Sequence, residues 1–351
     1  MQLHNFLGFS LYLSTFASQW PTLAGWAGTG VPVFLSLHIS EEFSDDYCDR
    51  ARQICRTLNS SGFRIVADVS VKTLAQFGCK DLPSLAQELG LWALRIDYGF
   101  SPEEIGEMAK RMPIVLNAST TTAEDARRIA AIGKEVYAMH NFYPRPETGL
   151  DEDLLLQTTL ALQDAGLKVL AFIPGDAEKR GPLFEGLPTL EAHRNCPPSA
   201  AYAHMLQTFH MDGVFIGDPG LCPEEAEHIA LYQKEGILSV PATLSPQWQH
   251  LYGQVFTCRI DSPKWMVRFQ ESRTYSCKGQ TIAPEAPLPR KRGCVTIDNA
   301  NYGRYTGEIQ LLRQDFPADS RVNVIGQVAQ NALLAMDLIQ RGQRFRLVPI
   351  K

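Results

Sequence analysis

Eight short apolar runs, each followed by a longer stretch, fill the first two thirds of this 351-residue chain and constrain its fold. They cover residues 6–12, 31–37, 64–69, 92–97, 113–117, 136–141, 167–173 and 213–217. Such runs have the length of strands, and being apolar on both faces they require cover on both faces. Between them, residues 45–60, 123–132 and 152–165 carry apolar positions at helical spacing. Buried strands alternating with helices predict an α/β protein with a parallel sheet. Eight is the number of strands that closes a (β/α)₈ TIM barrel. An open doubly wound sheet is the rival, but no G-x-G-x-x-G turn follows the first run.

After residue 238 the texture changes. Pro241, Ser245 and Pro246 read as a linker, and Pro284, Pro287 and Pro289 as a stiff exposed connector. Alternating segments at 251–260, 265–272, 293–297, 308–312 and 345–348 are separated by Gly, Pro and Asp turns, with a helix near 328–341. We therefore expect a barrel domain over 1–240 and a mostly β domain, a small β-barrel, over 248–351.

Charge and residue usage narrow the function. The net charge is −5, and Lys110-Arg111, Arg127-Arg128 and Arg290-Lys291-Arg292 are isolated clusters, too small for a nucleic-acid face. No apolar run approaches the roughly 20 residues that span a bilayer, so no membrane partner is expected. The N-terminal segment lacks a basic region, and Gly8, Ser10 and Ser14 interrupt its apolar stretch, so a signal peptide is not expected. Eight scattered cysteines without a C-x-x-C pair read as free thiols of a cytoplasmic protein. The histidines form no H-x-H or H-x-x-x-H pair, and neither a metal nor another cofactor is expected.

Reacting groups of a (β/α)₈ barrel come from the carboxyl ends of its strands. Those ends here hold Asp68, Asp97, Asn117, His140 with Asn141, and Asp218. Residues 140–150 are the densest segment, with Arg145 and Glu147 on a loop stiffened by Pro144 and Pro146. A stiff loop loaded with polar groups presents a site; a solvated surface turn is the plainer alternative. The loop at 186–194 adds Glu191, His193 and Arg194. Carboxylates converging with amides and aromatics suit glycoside hydrolysis. Each of them alone reads equally as a helix cap or an arginine partner. In the second domain Arg292 leads toward Asn299, Tyr302 and Tyr305, with Gly303 and Gly307 between them. An arginine fork beside glycine amides suits a phosphate, and a polar hairpin is the alternative.

Gly8-Phe9-Ser10-Leu11-Tyr12, Ala67-Asp68-Val69-Ser70 and residues 94–100, 140–150, 186–194 and 292–309 resemble one bacterial family. Its members were long labelled outer surface proteins or proteins of unknown function, and it includes the 6-phospho-N-acetylmuramidases of the MupG type. The resemblance runs over essentially the whole chain, although Val71 stands where the family more often has Pro. It implies a TIM barrel followed by a cyclophilin-like β-barrel domain. It also implies a cytoplasmic glycoside hydrolase of cell-wall sugar recycling. The substrate would be a phosphorylated amino-sugar disaccharide, MurNAc 6-phosphate-GlcNAc, cut at its β-1,4 bond to MurNAc 6-phosphate and GlcNAc.

On that basis Asp97 and Glu191 are the expected carboxyl pair, with Glu147 the substitute for either. Asp68 would orient the substrate N-acetyl group if that group is the nucleophile. Asn117, His140 and Asn141 are expected to hold hydroxyls or the N-acetyl group. Arg145, Arg194 and Arg292 compete for the phosphate and the lactyl carboxylate; His193, Asp218, Asn299, Tyr302 and Tyr305 complete the binding set. A non-catalytic carbohydrate- or peptide-binding protein on the same scaffold is the alternative. A phosphosugar aldolase would need a strand-end lysine, for which only Lys72 is close. A homodimer is compatible with the sequence.

Overall fold

The computed structural model describes residues 5–37, 46–96, 99–272 and 281–350. The chain divides into two compact units, residues 1–195 with 205–222, and residues 196–204 with 223–351.

In the first unit all eight apolar runs are strands: β1 (Phe6–Leu11), β2 (Pro32–Ser36), β3 (Arg64–Val69), β4 (Ala93–Ile96), β5 (Ile114–Asn117), β6 (Val136–Met139), β7 (Lys168–Ile173) and β8 (Gly213–Ile216). They pair in parallel in sequence order, and β8 returns to β1, so the sheet is a closed barrel. Alternate residues point inward. Phe6, Phe34, Val66, Ala93, Val115, Tyr137, Met139, Leu170, Phe172 and Phe215 form one interior cluster. That packing explains Gly213, where an added Cβ would lie 2.3 Å from the Phe6 ring. The next inward positions toward the carboxyl end of β3, β4 and β5 are polar: Asp68, Arg95 and Asn117.

Helices α1 (Phe16–Ala24), α2 (Tyr47–Ser60), α3 (Val71–Phe77), α4 (Leu82–Leu89), α5 (Pro102–Ala109), α6 (Ala123–Ile132) and α7 (Glu152–Asp164) lie between the barrel strands, as does α8 (Pro198–Gln207), most of which belongs to the second unit; α9 (Pro223–Glu235) follows β8 and belongs to the second unit. Asp81, Ser101, Thr122 and Asp151 cap four of them, each accepting the amide three residues on. Such caps stop a helix sharply and set where the preceding loop ends.

The second unit holds a seven-stranded mixed sheet. Its strands are β9 (Leu238–Leu244), β10 (Val255–Thr257), β11 (Met266–Arg268), β12 (Cys294–Asp298), β13 (Ile309–Leu312), β14 (Val322–Val328) and β15 (Arg344–Pro349). The order is β10-β15-β9-β14-β12-β13-β11. The linker expected at Pro241 is instead the middle of β9, a central strand paired with β15 and β14. Pro241 is tolerated because pairing with β14 runs out at Ala242, and its carbonyl accepts the Ala329 amide just beyond. Strand β14 is not evident from sequence, since Asn323, Gly326 and Gln327 dilute its apolar pattern. The expected helix is short, α10 (Leu333–Asp337), after a 3₁₀ turn at Gln330–Ala332. Phe269 packs between Phe256 and Phe345, with ring centroids 4.7 and 4.8 Å away, at the centre of this unit's core. Among the described residues no helix is long and apolar enough to cross a membrane.

Candidate active site

A chain of polar groups links three neighbouring strands and the loops after β5 and β6 at the carboxyl end of the barrel. Arg95 on β4 donates from Nη1 to Asp68 Oδ1 on β3 at 2.8 Å and from Nη2 to Asn141 Oδ1 after β6 at 2.5 Å. Asn141 Nδ2 donates to Ser119 Oγ at 3.3 Å, and the Ser119 amide donates to Asn117 Oδ1 at 3.0 Å. Asp68, Arg95 and Asn117 are buried, and Asn141 is half-buried. A buried ion pair is tolerated better where further donors of the cation are also bonded, and Asn141 takes one of those of Arg95. The result is a rigid polar floor with an acid, two amides and a hydroxyl.

Above it, Glu191 joins two loops. It opens a single 3₁₀ turn, Glu191–His193. Its Oε1 accepts the Glu147 amide at 2.9 Å and Arg194 Nε at 2.6 Å. Its Oε2 accepts the Gly149 amide at 2.8 Å and Arg194 Nη2 at 2.6 Å. The Arg194 guanidinium, with the two loop amides, pulls the carboxyl down to about 2. Arg194 is buried and its other donors reach the carbonyls of Gly186, Tyr143 and Arg145, at 3.1, 3.0 and 3.2 Å. Glu191 is thus a permanent anion with both oxygens engaged, and Arg194 has its fork turned onto protein. These contacts tie the two loops together and take up the Arg194 fork.

The loop they hold carries Glu147, whose backbone lies in the left-handed region at φ 69°. That conformation disfavours a non-glycine residue and persists only where surroundings impose it, here through the Glu191–amide bond. Glu147 and Arg145 are exposed, and neither side chain has an ion-pair partner among the described residues.

Other expected site residues lie elsewhere. His140 is buried and its Nε2 sits 3.0 Å from Thr159 Oγ1 of α7, outside the barrel wall; burial lowers its pKa to about 4. His193 is fully buried. Asp218 is also buried, and its carboxylate accepts the amides of Gly175, Arg180 and Leu187 at 3.0, 3.1 and 3.1 Å, pinning the loop after β7. Burial raises its pKa despite those bonds.

In the second unit, Asn299 is a buried structural amide bonded to Ser320 O and Asn323 Oδ1, at 3.0 and 2.8 Å. Arg292 is tied to Asp337 and to the Arg313 carbonyl, at 2.5 and 3.0 Å. Tyr302 lies under Arg321, and the Tyr305 hydroxyl accepts from Arg304. Most of these contacts tie the segment to residues 313, 320–323 and 337 of the same unit. Asp97 lies outside the described residues. Among the described residues no three His, Cys, Asp or Glu side chains gather closely enough to hold a metal ion.

Sequence reasoning misses Arg95 and Thr189, which the structure places in contact with the expected residues Asp68 and Asn141. A signal exists for Arg95: a lone guanidinium at an inward position of Ala93-Leu94-Arg95-Ile96 demands a buried partner. Thr189 has none; its hydroxyl donates to the Asn141 carbonyl at 2.9 Å and accepts the Phe172 amide, contacts set only by the fold.

Family comparison covers nearly the whole chain. The family model described as 6-phospho-N-acetylmuramidase, N-terminal, matches residues 7–231, and its C-terminal counterpart matches residues 239–348. A conserved Enterococcus faecalis protein of unknown function is similar at 32% identity and TM-score 0.84, over 98% of this chain and 96% of that one. An uncharacterized B. cereus protein is similar at 25% identity and TM-score 0.77, over 98% of this chain and 99% of that one. No curated protein matches the sequence.

Proposed function

The chain belongs to the 6-phospho-N-acetylmuramidase family, and on that premise we propose that it is a cytoplasmic glycoside hydrolase acting on MurNAc 6-phosphate-GlcNAc. The products are MurNAc 6-phosphate and GlcNAc, as cell-wall sugar recycling requires. The observation that carries the reading is the Asp68–Arg95–Asn141–Ser119 network at the carboxyl end of the barrel, the face on which barrel enzymes carry out their chemistry.

Glycoside hydrolysis needs one carboxyl to protonate the leaving oxygen and an anion or the substrate's own N-acetyl group to meet the oxocarbenium-like centre. With Glu191 locked by Arg194, we assign these roles to Asp97 and Glu147. Glu147 is exposed on a loop that Glu191 holds still. Asp97 directly follows β4 in sequence. Asp68, held by Arg95, supplies the fixed charge beside the N-acetyl group, and Asn117 and Asn141 supply amides for hydroxyls. Water then adds to the anomeric carbon, and the proton it loses restores the acid.

The test is incubation with MurNAc 6-phosphate-GlcNAc and detection of released GlcNAc. Asp97→Asn, Glu147→Gln and Asp68→Asn should each lower kcat by about 10²–10⁴-fold, the usual weight of a proton-transfer group or fixed charge. Binding of the disaccharide without any GlcNAc release would instead identify a carbohydrate-binding protein that lacks the hydrolytic step.

A further inference from the structure

We propose that the cleft between the loops following β7, β8 and β1 is an anion site for the 6-phosphate of the substrate, with Lys179 and Arg180 as its cations. This assignment rests on the hydrolase reading above for the identity of the ligand, but the site itself stands on separate residues. The cleft has a volume of about 400 Å³ and is lined by Tyr12, Thr15, Glu178, Lys179, Arg180 and Pro219 among others. All belong to the first unit, and all follow the carboxyl ends of β1, β7 and β8, on the same face as Asp68 and Asn117. Barrel enzymes commonly bind phosphate at the loops after their seventh and eighth strands.

Two features distinguish these cations from Arg194 and Arg292, and the second, a guanidinium held on an aromatic ring, also sets Arg180 apart from Arg145. Among the described residues, neither Lys179 nor Arg180 has a carboxylate within ion-pair distance. Arg194 and Arg292, by contrast, already engage carboxylates and backbone carbonyls. Arg180 is also preorganised. Its guanidinium lies over the Tyr12 ring at 4.4 Å, and its amide donates to Asp218 Oδ1 at 3.1 Å. The Tyr12 hydroxyl donates to the Gly217 carbonyl at 2.6 Å, and burial raises its pKa, so the ring is a neutral platform and not a counter-charge. An arginine stacked on an aromatic ring with its fork unpaired by carboxylate is well suited to bind a phosphate monoester. Glu178 lines the same cleft, and the buried Asp218 carboxylate lies close enough to Lys179 to act on it electrostatically.

The substrate carries two anions, the phosphate and the lactyl carboxylate, and the test separates them. N-acetylglucosamine 6-phosphate has only the first and N-acetylmuramic acid only the second. Arg180→Gln and Lys179→Met should each weaken N-acetylglucosamine 6-phosphate by roughly ten- to a hundred-fold in calorimetry, the weight of one charge-assisted contact. Binding of N-acetylmuramic acid should barely change, and Arg180→Lys should recover part of the loss. In turnover the same variants should raise KM for the phosphorylated disaccharide with little effect on kcat, because the phosphate is held alike in ground and transition states. Unchanged affinity for N-acetylglucosamine 6-phosphate, or equal losses for both probes, in variants whose Tm matches the parent, overturns the site. Should the protein bind N-acetylglucosamine 6-phosphate through Arg180 but release no GlcNAc from the disaccharide, the hydrolase reading fails and the anion site survives. Normal hydrolysis that depends on neither Arg180 nor Lys179 removes the anion site and leaves the hydrolase reading standing.

Discussion

Arg194 grips both oxygens of Glu191, with Nε and Nη2 each 2.6 Å from a different one, while those oxygens also accept the amides of Glu147 and Gly149. One acidic side chain therefore locks the loop after β6 to the loop after β7. A bidentate carboxylate that also accepts two loop amides combines strength with fixed geometry.

Replacing Glu191 by Gln should release that lock. The change keeps the shape but loses the charge-assisted bonds, costing on the order of 2–3 kcal/mol. Hydrogen exchange at the Glu147 and Gly149 amides should accelerate, and kcat should fall because Glu147 loses its fixed place. Added azide should not restore the rate. Recovery of turnover with azide would make Glu191 a nucleophile and refute the positioning role.

The Arg95–Asp68 pair is almost fully buried, at 5% and 8% side-chain exposure. Arg95→Met leaves an uncompensated buried charge and should destabilise the barrel by about 3–5 kcal/mol. Adding Asp68→Asn to Arg95→Met should recover part of this, since no bare anion remains. A thermal-denaturation cycle in which the two effects simply add would show that the residues are not coupled.

His140 introduces an acid-side dependence. Its folded pKa is about 4 because it is buried, against about 6.5 when unfolded. The unfolded chain therefore binds the proton first, and stability is lost as pH falls from about 6.5 to 4, by up to about 3 kcal/mol. His140→Gln should flatten that part of the Tm-versus-pH curve. An unchanged slope would mean the imidazole is protonated in the folded state.

Asp298 acts in the opposite sense. Burial, and then the neighbouring Glu308 carboxylate, raise its pKa to about 7, although Gln310 Nε2 lies 3.3 Å away. Unfolded Asp298 ionises near pH 4, so its penalty on folding grows from about pH 4 to 7 and is constant above. Asp298→Asn should therefore raise Tm at pH 8 and have little effect at pH 4. Equal shifts at both pH values would assign the gain to packing.

Much of the fold is legible in the sequence. Apolar runs such as 64–69 and 167–173 can only be buried strands, because leaving them in water forfeits the largest favourable term in folding. Their number and alternation with helices then close the barrel. The exceptions have physical causes. Pro241 disguises β9 because proline lacks an amide donor, yet its place beyond the last β14 pair requires none. Asn323 and Gly326 hide β14 because a strand can hold polar residues wherever buried partners meet them, as Asn299 meets Asn323.

Residue type and order were enough to decide the fold class and the carboxyl-end placement of Asp68 and Asn117. The surroundings of the acidic residues in the 140–150 and 186–194 loops were decided only in three dimensions. Glu191 and Glu147 are the same chemical group, and what separates them is whether Arg194 and two amides surround the carboxylate or solvent does. Such surroundings are assembled from chain segments about forty residues apart. Local sequence carries the hydrophobic period that builds strands and helices, but it does not record which distant donors will occupy a given oxygen.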